Sequence, residues 1–220
     1  MKIAVLVSGR GSNLRALVAA TRDGRVPAEV VGVFSDKPAC AALAFAREAG
    51  IPALARAPKD YADRDAHDDA LFTEIARVQP DLIVCAGYLR IIGAAALMRF
   101  ENRMLNIHPS LLPKYPGLHT HAKALAAGDA EHGASVHSVI PALDAGPVLA
   151  QARIPVRPGD DPDALAERLL PREHALLVAS VALVAEGRMR LRDDHLLLDG
   201  ERLQQPLQLD ADDRLTGATA

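Results

Sequence analysis

The sequence predicts an α/β fold with a doubly wound, mainly parallel twisted sheet, helices on both faces and an antiparallel C-terminal extension. Three observations lead there. Short apolar runs alternate with helix-length segments through the N-terminal half. Those runs are continuously apolar, as in strands buried on both faces. Further along, from about residue 134, strict alternation takes over, the pattern of an antiparallel pair with one wet face.

The elements follow in order. Ile3 to Val7 is a first strand, leading into S-G-R-G-S-N at residues 8 to 13. The next segment, LRALVAATRDG, has helical periodicity and stops at Gly24. Val30 to Phe34 is a second strand, and Ala41 to Ala49 a helix closed by Gly50. Pro52 to Ala55 is a short third strand. Asp65 to Val78 mixes charge and apolar residues at helical spacing, and Pro80 ends it. Leu82 to Ala86 is a fourth strand, Ala94 to Phe100 a short helix and Met104 to Ile107 a fifth strand. Ala134 to Ile140 and Val148 to Val156 form the antiparallel pair. Ala164 to Glu186 is a long helix that Pro171 is expected to kink or break. Arg188 to Leu198 has a hairpin pattern around Asp193-Asp194-His195, and the polar end of the chain is expected to fray.

Composition narrows the function. The 220 residues suit one domain, or one core with a small appendage. Half are hydrophobic but only 3% aromatic, so Ala, Val and Leu must fill the core. The net charge is −3, and Arg10, Arg47, Arg90 and Arg168 are dispersed, so no nucleic-acid stripe is present. Cys40 and Cys85 lack metal spacing and read as buried small hydrophobes of a reducing compartment. The opening MKIAVLVSG is too short for a signal peptide and ends in a glycine loop. No run approaches roughly 18 apolar residues, so no membrane span is expected. The protein is expected in the cytoplasm.

The S-G-R-G-S-N loop joins a strand to a helix, where ligands of doubly wound sheets bind. Glycines let the backbone approach an anion, the helix N-terminus offers N–H groups, and Ser12 and Asn13 are good caps. Gly9 and Gly11 match the first half of a dinucleotide fingerprint, and Asp36 ends the second strand. Leu14 stands where that fingerprint needs its third glycine. No Walker lysine follows, so a triphosphate is not expected. A single phosphate monoester on a Rossmann-like N-terminal half is preferred; a tight turn with a capped helix is the plain alternative.

Residues 106 to 121, NIHPSLLPKYPGLHTH, form the second candidate site. Asn106 and His108 are two apart on a strand and share a face. An amide there can stabilise an oxyanion, and an imidazole can move a proton. Asp144, in the stiff P-A-L-D-A-G-P loop, is the carboxylate that favours the charged imidazole. The alternative is a histidine that merely satisfies a loop. His119-x-His121 has ligand spacing but no third ligand at a familiar interval. His137, on an alternating strand, packs or caps the site.

Together these stretches, with VLVSGRGSNL, CAGYLRI at 85 to 91, HGASVHSV at 132 to 139 and LDAGPV at 143 to 148, resemble the phosphoribosylglycinamide formyltransferase family. The resemblance covers about residues 1 to 200; SLLP marks the wider 10-formyltetrahydrofolate superfamily, whereas S-G-x-G-S-N with K-Y-P-G-x-H-T-H is more specific. It implies the formyltransferase fold, a single catalytic domain over 1–200 and a polar tail over 201–220. It also implies formyl transfer from 10-formyltetrahydrofolate, as co-substrate, to the amine of glycinamide ribonucleotide in purine biosynthesis, without a metal. By that resemblance Asn106 and His108 would stabilise the oxyanion, and His108 would carry the proton. Asp144 would raise the His108 pKa and order a water. Gly11, Ser12 and Asn13 would hold the phosphate, and Glu173 the glycinamide-ribose end. Arg64, Leu89, Arg90, Ile91 and Ile92 would line the folate site, with Asn106, Ile140 and Asp144 completing it.

Some relatives carry a polar residue near Glu173 that helps the phosphate. Here Leu170 and Pro171 stand there, and no phosphate contact from residue 170 is expected. Two relatives of the superfamily fit less well. A formyltetrahydrofolate hydrolase usually has an extra N-terminal domain, whereas the catalytic domain here begins at Met1; a methionyl-tRNA formyltransferase needs a longer chain and a basic domain. The expected partners are small-molecule substrates, with no nucleic acid and no membrane, for a monomer or weak homodimer.

Overall fold

A computed structural model describes residues 1–192 and 194–217 of the chain. It divides into two compact units, Met1–Asn106 and Ile107–Ala220.

The first unit holds β1 (Lys2–Val7), α1 (Ser12–Arg22), β2 (Glu29–Ser35), α2 (Ala41–Glu48), β3 (Ala53–Ala55), α3 (Arg64–Arg77), β4 (Leu82–Cys85), α4 (Ala94–Met98) and the start of β5 (Met104–His108). A single 3-10 turn, Pro58–Asp60, precedes α3. The strands run parallel in the order β5-β4-β1-β2-β3. Ile3 to Val7 and Ile83 to Val84 are fully buried, which explains their unbroken apolar character. From β1 the chain winds outward through β2 to β3, then returns to the other side of β1 for β4 and β5. Right-handed crossovers then put α1 and α2 on one face and α3 and α4 on the other, and each pair packs together. The switch point falls between β1 and β4, where the Ser8 N–H donates to the Gly87 carbonyl at 2.9 Å.

The second unit holds α5 (Thr120–Ala126), β6 (Glu131–Ser138), β7 (Val148–Pro155), α6 (Pro162–Ala185), β8 (Met189–Leu191), β9 (Leu196–Leu198), β10 (Glu201–Arg202), β11 (Leu207–Leu209) and β12 (Leu215–Thr216). β6 pairs antiparallel with β7, as the alternation predicts. α6 is capped by Asp161, whose carboxylate accepts from the Ala164 N–H at 2.8 Å, and opens with Pro162. It buries Leu165, Leu169, Leu176, Leu177 and Val181 and packs on β6 and β7. Pro171 does not break it: the helix runs on for 24 residues. β8, β9 and β10 form a separate antiparallel sheet, so the expected hairpin is present; Asp193 lies outside the described residues.

The end of the chain departs from the frayed tail expected of it. β11 runs parallel to β7, with β12 antiparallel beyond it. Leu207 and Leu209 are buried, and Arg172 on α6 donates to the Leu209 and Asp210 carbonyls at 3.0 and 2.7 Å. Residues 218 to 220 of that tail lie outside the described residues. Among the described residues no helix is long and apolar enough to cross a membrane. Cys40 is half-buried beside the Ser35 hydroxyl rather than packed in the core, whereas Cys85 is buried and its thiol is pushed up to about 12 by desolvation.

Candidate active site

β5 carries Asn106, half-buried, and His108, 6% exposed, two residues apart. The loop after it is held from several sides. The Ser110 hydroxyl donates to the Lys114 carbonyl at 2.6 Å. Ser135 on β6 donates to the Ser110 carbonyl at 2.7 Å and accepts from the Leu112 N–H at 3.0 Å. Gln151 on β7 donates to the Leu112 carbonyl at 2.9 Å. Asp129 takes both Lys114 Nζ and the Tyr115 hydroxyl at 2.8 Å. These bonds present the Tyr115 carbonyl to His108 Nε2 at 3.0 Å, so that ring nitrogen donates its proton there.

The other ring nitrogen faces Asp144. His108 Nδ1 lies 3.5 Å from Asp144 Oδ2, which also accepts from the Gly117 N–H at 2.8 Å. Asp144 Oδ1 lies 3.6 Å from His137 Nε2. Asp144 adopts a left-handed backbone (φ 48°), which aspartate tolerates better than most residues. Its loop closes through the Ser138 N–H, which donates to the Pro147 carbonyl at 3.0 Å, and a Cβ on Gly146 would run into the Ser138 carbonyl. His137 Nδ1 donates to the carbonyl of Ser138 at 2.8 Å, which turns Nε2 towards the carboxylate. Burial pushes the His137 pKa below the ordinary histidine value, against the pull of the Ser138 carbonyl and Asp144. His137 is thus a second partner of Asp144. The sequence places His137 on an alternating strand as a residue that packs or caps the site, without naming Asp144 as its partner.

Of the ribonucleotide-binding candidates, Gly11, Ser12 and Asn13 sit at the switch point of the first unit. Gly11 is the N-cap of α1, left-handed at φ 77°. A Cβ there would come within 2.6 Å of the Ala42 Cβ, so position 11 needs glycine for both conformation and space. The expected capping by Ser12 and Asn13 is not found: both lie inside the first turn, and α1 has no side-chain cap. The first intrahelical bond runs from the Arg15 N–H to the Gly11 carbonyl at 2.9 Å. The backbone of Ser12 to Leu14 therefore forms the anion-attracting end of the helix. Glu173 is buried on α6.

The folate-binding candidates fall in both units. Leu89 and Ile91 are 61% and 53% exposed, Ile92 is buried and Arg90 half-buried, all in the segment between β4 and α4. Arg64 is exposed at the start of α3, 3.6 Å from Asp65. Ile140 is half-buried just beyond β6. The His119-x-His121 pair is engaged elsewhere at its second member: His121 Nδ1 shares a hydrogen bond with His132 Nε2 at 2.9 Å. Among the described residues no group of three or more His, Cys, Asp or Glu is arranged to hold a metal ion.

A family model described as formyl transferase matches residues 1–181. The chain belongs to the formyl transferase family. Several of its relatives are named phosphoribosylglycinamide formyltransferase. The enzyme of that name from Escherichia coli (strain K12) is 44% identical over 92% of this chain and 96% of its own length. That from Mycobacterium tuberculosis (strain H37Rv) is 46% identical over 84% of this chain and 85% of its own. Among solved structures, the phosphoribosylglycinamide formyltransferase of Coxiella burnetii superposes with a TM-score of 0.88 at 40% identity, over 92% of this chain and 95% of that one.

Proposed function

We propose that this chain transfers the formyl group of 10-formyltetrahydrofolate to the amine of N1-(5-phospho-β-D-ribosyl)glycinamide. The products are the N2-formyl ribonucleotide and tetrahydrofolate, a step of de novo purine (IMP) biosynthesis. The observation that carries this reading is Asp144, held by Gly117 with its two oxygens turned to His108 and His137. Kinship with enzymes named for this reaction supports it.

In the proposed chemistry the α1 N-terminus at Gly11 to Asn13 holds the single phosphate, and Glu173 orients the ribose-glycinamide end. Leu89 to Ile92 offers apolar surface to the flat pterin ring, with Arg64 as a cation for the acidic tail and Ile140 beside the Asp144 loop. Asn106 donates to the oxyanion formed when the amine attacks the formyl carbon. The amine adds to the formyl carbon first; collapse of that tetrahedral intermediate then breaks the bond to N10, and His108 carries the amine proton to the leaving N10. Asp144, 3.5 Å from Nδ1, keeps the imidazole oriented. Bringing amine and formyl group together supplies much of the barrier reduction. Residues 1–200 act as one catalytic domain followed by the tail, on small-molecule substrates in the cytoplasm.

The test follows tetrahydrofolate release from 10-formyltetrahydrofolate by purified protein, with and without the ribonucleotide. Release that requires the ribonucleotide is expected. Release without it would make water the acceptor and overturn the reading.

A further inference from the structure

The segment from Tyr88 to Gly93 shows solvent a large apolar surface yet has no regular structure until α4 begins. Such a segment must be held by its backbone. At the near end, the Leu89 N–H donates to Ser8 Oγ at 3.0 Å, and that hydroxyl donates onward to Asp36 Oδ1 at 2.6 Å. At the far end, the Gly93 N–H donates to Asp68 Oδ2 at 2.8 Å. Asp68 Oδ1 lies 3.0 Å from His67 Nδ1, and His67 Nε2 lies 3.0 Å from the Arg56 carbonyl oxygen. His67 is wholly buried, Asp68 is 2% exposed, and the Tyr61 ring meets His67 edge-on. Burying a carboxylate is costly unless its oxygens are bonded. Here one oxygen is used on a histidine and the other on the segment. The neighbouring Asp65 and Asp69 of α3, by contrast, pair with arginines at the surface.

We propose that Asp68 is a positioning residue for the formyl-donor site. Through the Gly93 N–H it fixes the far end of the Leu89–Ile92 surface, while Ser8 fixes the near end. This rests on reading Leu89 to Ile92 as the folate contact. Asp68 itself touches no substrate.

The bonding pattern makes a conservative variant informative. In Asp68→Asn the amide oxygen can accept from Gly93, and the amide NH2 can donate to Nδ1 of a neutral His67, whose Nε2–H still serves Arg56. Asp68→Ala leaves both partners unmet. Steady-state kinetics with each substrate varied tests this. Asp68→Ala is expected to raise KM for 10-formyltetrahydrofolate about tenfold, the scale of one lost buried hydrogen bond to a charged group, with KM for the ribonucleotide within about twofold. Asp68→Asn is expected to stay within about threefold for both. Equal shifts in both KM values, no shift, or an Asn variant as impaired as the Ala variant would overturn the proposal. Ile91→Ala separates its failure from that of the underlying reading. If Ile91→Ala raises the folate KM and Asp68→Ala does not, the folate contact stands and the clamp falls. If Ile91→Ala has no effect, the contact falls and the proposal with it. Should Asp68→Ala not fold, hydrogen exchange on the wild-type protein decides. Strong protection of the Gly93 amide without ligand is expected, and exchange at the rate of an open loop would overturn the clamp.

Discussion

Asp144 uses both carboxylate oxygens on three neighbours, the Gly117 N–H and the imidazoles of His108 and His137. In Asp144→Asn one oxygen becomes an amide NH2, which donates and can no longer accept, and the negative charge facing both rings is gone. Turnover is expected to fall by about 100-fold or more, the scale of lost acid–base assistance, with the melting temperature within a few degrees of wild type. Steady-state rates and a thermal melt measure both, and wild-type turnover would contradict the role given to Asp144. Much of this group was legible in the sequence. Asn106, His108 and Asp144 stand out because polar residues sit between prolines and glycines at strand ends. The tie between His137 and Asp144 was not legible, because it depends on a left-handed turn that brings the loop back over β6. The cap of α1 was misread for a related reason. Ser12 and Asn13 are good caps by residue type, but the close approach of Ala42 gives that position to Gly11.

At the scale of elements, the buried strands and their helices follow from apolar periodicity, and their ends agree to within a few residues. α5 escaped notice because its seven residues lie among prolines, histidines and glycines that read as loop. β11 escaped because polar composition masked a period-two pattern, Leu207 and Leu209 inward around Gln208. α6 shows how packing overrides propensity. Pro171 removes one backbone donor, but the leucine-lined face buried on β6 and β7 holds the helix together across it. Pro171 is exposed, so its ring contributes little packing. Pro171→Ala is therefore expected to raise the unfolding free energy by about 1–2 kcal/mol, less than the full helix-interior cost of proline because the native helix has adapted to it. Chemical denaturation checks this, and a loss of stability would show that the proline conformation itself is needed.

For the molecule as a whole, acid is the expected weakness. Burial pushes His132 down to about 4, with His121 adding to the push, and burial likewise lowers His121, His137 and His174. Each binds its proton more readily in the unfolded chain, near the ordinary value of about 6.5. Between that pH and about 4 the unfolded state therefore holds more protons, and stability falls as pH falls. The carboxylate of Asp160, held down to about 2 by Arg168, acts only at lower pH, where its loss adds to the decline. Urea midpoints measured across this range should drop on acidification, and His132→Gln should flatten the curve; an unchanged slope in that variant would remove His132 as a cause. For function, the most direct measurement follows a 13C-labelled formyl group from 10-formyltetrahydrofolate by NMR in the presence of glycinamide ribonucleotide. The expected result is label in the ribonucleotide amide, one for one with tetrahydrofolate. Label appearing as free formate, or staying on the folate, would contradict formyl transfer by Asn106, His108 and Asp144.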